Sequence, residues 1–137
     1  MDPLSITASI LAILKLSNDV LKYLNDVKDA SKGHTQCALE ITNLYSILLQ
    51  LESRREEGDA SQRWYNAVRA LGVENGPLDQ FKEALEMLQD KLTNGGRLKQ
   101  VGEALVWKFK KEEVASILGR MERLKTQFEI ALQMDHL

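Results

Sequence analysis

The chain has 137 residues, 44% of them hydrophobic and 28% charged, with a net charge of −2, a balance that describes one ordinary globular domain. A near-neutral charge lacks the basic excess of a general nucleic-acid binder, and a lone cysteine, Cys37, rules out an internal disulfide. The default compartment is the cytoplasm.

The opening is the most unusual stretch. Asp2 is a helix cap, Pro3 suits a first turn, and Leu4 to Leu14 then carry no charge until Lys15. Ile6, Ile10, Ile13, Val20, Leu24 and Val27 recur at helical steps as one apolar stripe. Leu4, Leu11, Leu14 and Leu21 fall on another side, with Ala8 and Ala12 around them. A helix apolar on most sides must be enclosed by protein or by lipid. The opening is no secretory signal, because Asp2 leads it and charged helical sequence follows without a cleavage site. Nor does the apolar run reach the ~20 residues of a constitutive span, so the free domain is expected to be soluble.

The first helix is predicted from Pro3 to about Ala30. A second, from about Thr35 to Arg55, carries Ala38, Ile41, Leu44, Tyr45, Leu48 and Leu51 at core-facing spacings. The polar island from Glu52 to Asp59 reads as a solvated helix end and loop. A short helix from Ser61 to Leu71, capped by Asp59 or Ser61, presents Trp64, Val68 and Leu71. After Pro77, the positions Leu78, Phe81, Leu85, Leu88 and Leu92 form a heptad seam. A helical turn through Val101, Leu105 and Val106 precedes a last long helix carrying Val114, Ile117, Leu118, Met121, Leu124, Phe128 and Leu132. Glycine clusters punctuate these segments, and no stretch alternates as a strand would. The expected fold is all-α: an antiparallel four-helix bundle with one or two additional short helices, formed by residues 1–137 as a single domain.

Chemistry is sparse. His34 and Cys37 can share a helix face, but a closed zinc site needs four ligands and a nucleophile pair needs an orienting group. Glu83 with Glu86, and Glu112 with Glu113, lie beside lysines as solvated surface, and Gly95-Gly96 lacks the features of a phosphate loop. No enzyme activity, cofactor, metal or nucleic-acid partner is expected. One charged feature stands out: Arg97, Lys99, Lys108, Lys110 and Lys111 face a single acid, Glu103, with Trp107 and Phe109 among them. Aromatics interleaved with lysines suit an anionic membrane surface; they equally suit a junction whose aromatics anchor the core while the lysines face water.

The opening MDPLSITASILAIL, the segment from Tyr23 to Lys32, and a closing stretch comprising Trp107 to Val114, Met121 to Lys125 and Ala131 to His136 together resemble the HeLo-like N-terminal domain of fungal NOD-like (STAND) receptors. Residues 53–100 carry little of this resemblance, and Lys108 stands where members often have proline. The family is similar to the fungal heterokaryon-incompatibility HeLo domain and, more distantly, to the four-helix bundle of the necroptosis pseudokinase. The resemblance implies a programmed-cell-death effector of innate immunity. Such a domain self-associates when its receptor is triggered, moves from the cytoplasm to the plasma membrane, and permeabilises it through the first helix. Carried onto this chain, the membrane-insertion candidates are Leu4, Ile6, Ile10, Leu11, Ile13 and Leu14, and the anionic-lipid candidates are the five cations named above. A nucleotide-binding oligomerisation module, in the same longer receptor or a partner chain, is the expected regulator. The alternative is a homotypic or adaptor module that recruits a separate effector and never enters lipid.

Overall fold

Asp2 caps the first helix, α1 (Pro3–Asn25), with its Oδ1 accepting the Ser5 N–H at 2.7 Å. The computed structural model describes residues 2–28, 31–55, 61–92, 105–106 and 109–136. Helix α1 stops before the predicted Ala30: Asp26 caps it, and the chain becomes extended at β1 (Val27–Lys28). There it pairs in parallel with β2 (Leu105–Val106), Val27 opposite Leu105 and Lys28 opposite Val106. Asn25 and Asp26 are poor helix formers and Val27 is β-branched, so backbone partners in a second segment win over another helical turn. The same pairing corrects the predicted helical turn at Leu105 and Val106; Val101 lies outside the described residues.

Helix α2 (Lys32–Arg55) begins three residues earlier than predicted because Ser31 serves as its cap, its Oγ accepting the His34 N–H at 3.1 Å. Gly33 is tolerated in its first turn for a packing reason: a Cβ there would stand 3.0 Å from Val114 Cγ1. Helix α3 (Ser61–Val68) ends before Leu71, which is nonetheless buried in the turn that follows. That turn places Asn75 at φ 59°, a left-handed conformation asparagine accepts, and its N–H donates to Asp79 Oδ2 at 2.9 Å. Gly76 follows, where a Cβ would lie 2.6 Å from Val73 Cγ2. Helix α4 (Pro77–Leu92) and helix α5 (Lys111–His136) complete the chain.

The domain is all-α, with the two-residue pairing as its extended element among the described residues. Helix α1 packs against α2 and α4, and α5 packs against α2, α3 and α4. At one end Gly33 faces Val114, and at the other Arg54 pairs with Asp135, so α2 and α5 run side by side in the same direction. Helices α4 and α5 run oppositely, tied by Lys91 to Glu113 at one end and by Phe81 against Phe128 further along. Successive long helices were expected to pack antiparallel, as α4 and α5 do; α2 and α5 are not successive, and they meet because α4 lies on α1 and leaves the flank of α2 open for α5.

The core contains the whole predicted seam of α4: Leu78, Phe81, Leu85, Leu88 and Leu92 are all buried. Phe81 meets Phe128 edge to face, with centroids 6.0 Å apart. Trp64 brings α3 onto the end of α2, its Nε1–H donating to the Leu51 carbonyl at 2.5 Å. Ser17, buried in α1, is satisfied by its own helix through the Ile13 carbonyl at 2.8 Å.

Candidate functional site

Helix α1 has an inner and an outer face. Ile6, Ile10, Val20 and Leu24 are fully buried, and Ile13 and Leu14 join them. The outer row of Leu4, Ala8, Leu11, Lys15, Asn18, Lys22 and Asn25 is exposed at alternating four- and three-residue steps. Leu4 is 83% exposed and Leu11 49%, with Ala12 exposed beside them. Of the six membrane-insertion candidates, therefore, Leu4 and Leu11 face outward, whereas Ile6, Ile10, Ile13 and Leu14 belong to the core. Sequence periodicity separated two apolar sets but placed Leu14 with the wrong one; its burial comes from the neighbouring helices.

Helix α1 is partly enclosed by protein. Its two main packing partners, α2 and α4, cover one side, and a third of its most apolar window is buried. Its most apolar 18-residue window has a mean hydropathy of 1.5, and at 23 residues α1 has the length and composition to cross a membrane. At 1.5 Å per residue it spans roughly 35 Å, against a hydrocarbon thickness of about 30 Å. The outer row is polarised along its length, apolar from Leu4 to Ala12 and cationic at Lys15 and Lys22.

Of the anionic-lipid candidates, Lys110 and Lys111 are exposed at the start of α5. Arg97, Lys99 and Lys108, together with Trp107, lie outside the described residues. The His34 ring N–H donates to the Leu24 carbonyl at 2.5 Å, which places the end of α1 at the start of α2. The start of α2 in turn meets the start of α5. Lys22, Lys32, Lys110 and Lys111 consequently share one end of the molecule, about the length of α1 from Leu4. The apolar opening and the cationic cluster are thus not brought together. Lys15 and Lys22 lie in the same outer row, one and two heptads on from Ala8, a spacing already present in the sequence.

At the cationic end Lys91 pairs with Glu113 and lies 5.2 Å from the Phe109 ring centroid. The Lys91 ammonium, together with the Lys110 N–H, holds the Glu113 carboxyl below its ordinary range. Phe109 is half-buried against the core, as an anchoring aromatic would be. At the opposite end, the polar island is less solvated than expected: Arg54 reaches the fully buried Asp135, and Arg55 pairs with Glu52 at 2.7 Å. Residues 56–60 lie outside the described residues. His34 and Cys37 are both buried, Cys37 completely. No group of three or more potential metal ligands occurs among the described residues. Compared with protein-family models, curated proteins and solved structures, the chain shows no match.

Proposed function

We propose that this chain is a HeLo-like cell-death effector domain, built as a four-helix bundle, that self-associates and permeabilises the plasma membrane through α1. The carrying observation is the division of α1 into a buried inner face and an outward face that is apolar over its first half. A helix with that division has packing to lose and lipid contact to gain, the requirement for a two-state element. Lys15 follows the apolar first half, where an N-terminus-first insertion of residues 4–14 leaves it level with anionic headgroups, worth about 1 kcal/mol.

The test is dye release from liposomes containing anionic lipid, with residues 1–137 fused to an inducible oligomeriser. Charging Ile10 or Leu14 is a poor probe, because both lie in the core and the variant can unfold. Leu4→Glu and Leu11→Glu change the outer face alone. Both are expected to melt within a few degrees of the parent and to lose most oligomerisation-dependent release. Full release by the folded double variant overturns the insertion reading. Self-association of the parent domain with sealed liposomes establishes the adaptor reading in its place.

A further inference from the structure

We infer that the groove between the N-terminal halves of α2 and α5 binds a single-chain anionic lipid, such as a free fatty acid. The groove has a volume of about 490 Å³, within the range of sites for one small ligand. Its walls are Phe109, Val114, Ala115 and Leu118, with Lys32 and Lys111 on its rim. Both lysines are exposed, and neither takes part in the Lys91–Glu113 pair. Nearby charge favours an anion: Lys32, Lys91, Lys110 and Lys111 stand against Glu112 and Glu113, and Glu113 is already engaged by Lys91.

Polarity is graded along the groove. Beyond Leu118 it continues into a smaller hollow lined by Leu39, Glu40 and Glu122, with Leu39 57% exposed. Cations at one end, an apolar middle and carboxylates at the other orient an amphiphile with its head at Lys32 and Lys111 and its chain toward Leu118. A bare phosphate would leave the apolar walls unused; a neutral chain would leave the lysines unused. This inference goes beyond the proposed function, since it needs one lipid molecule and no movement of α1.

The experiment is a fluorescence titration of the purified chain with cis-parinaric acid, without liposomes, so it stands or falls separately from membrane damage. Saturable binding is expected, displaced by palmitate and not by inorganic phosphate or the matching fatty alcohol. The double variant Lys32→Glu, Lys111→Glu should weaken it by about tenfold or more. Ala115→Trp, which fills the groove from an exposed position, should abolish it while the melting temperature stays near that of the parent. Absence of saturation, equal displacement by the alcohol, displacement by phosphate, or unchanged binding in both folded variants overturns the assignment.

Discussion

Cys37 lies one turn after His34 on the buried side of α2, and burial, with Glu40 adding to it, pushes its thiol from an ordinary 9.0 up to about 11. The thiolate is the reactive form, and at pH 7 it amounts to roughly one part in ten thousand in the folded chain. Alkylation by iodoacetamide is therefore expected to require unfolding, and labelling of the native domain faster than its unfolded fraction allows would contradict the burial. The linkage has a definite sign. Because the folded pKa is raised, the neutral thiol's contribution is complete below pH 9 and is lost as pH climbs from 9 toward 11. Over that window the loss is at most about 2–3 kcal/mol. Denaturation of the parent and of Cys37→Ala across the same pH range isolates it, since lysine titration is common to both and only the parent carries the extra slope.

Between elements, an ion pair of Arg54 with Asp135 joins the C-terminal ends of α2 and α5. Asp135 is fully buried, its Oδ2 accepts the Arg54 guanidinium, and its Oδ1 has no partner among the described residues. Arg54→Met leaves that carboxylate without its cation and is expected to cost about 3–5 kcal/mol, whereas the double variant Arg54→Met, Asp135→Leu should recover much of the loss. Urea midpoints at constant slope measure both, and a double variant no better than the single would show that the pair itself is the source of stability. This pair also marks where sequence reasoning stopped. The α4 seam and the inner stripe of α1 were legible because their spacing alone specifies a buried helical face. Arg54 and Asp135 are 81 residues apart, and Arg54 sits in the stretch that reads as a solvated helix end. Likewise, β1 and β2 are two residues each, too short for any alternating pattern to announce them. The outward placement of Leu4 and Leu11 depended on which side α2 and α4 took, information absent from the periodicity of α1.

For the whole molecule, the proposed function is an equilibrium between α1 packed on α2 and α4 and α1 in lipid, and two adjacent residues probe its two sides. Ile10 is fully buried in the packed state. Ile10→Ala removes contacts there and leaves a cavity, at a cost of about 2–5 kcal/mol. In lipid the same change forfeits only the transfer of the missing carbons, about 0.8 kcal/mol each, because fluid chains close around the smaller residue. The cavity term therefore weighs on the packed state alone and shifts the balance toward release. Leu11, 49% exposed, works the other way: Leu11→Ala loses little in the packed state and most of a leucine's transfer energy in lipid. Ile10→Ala should thus melt lower yet release dye at a lower oligomeriser dose, and Leu11→Ala should melt like the parent yet need a higher dose. If instead both variants lose release in proportion to their loss of stability, the packed helix is itself the active form and α1 does not exchange its protein neighbours for lipid.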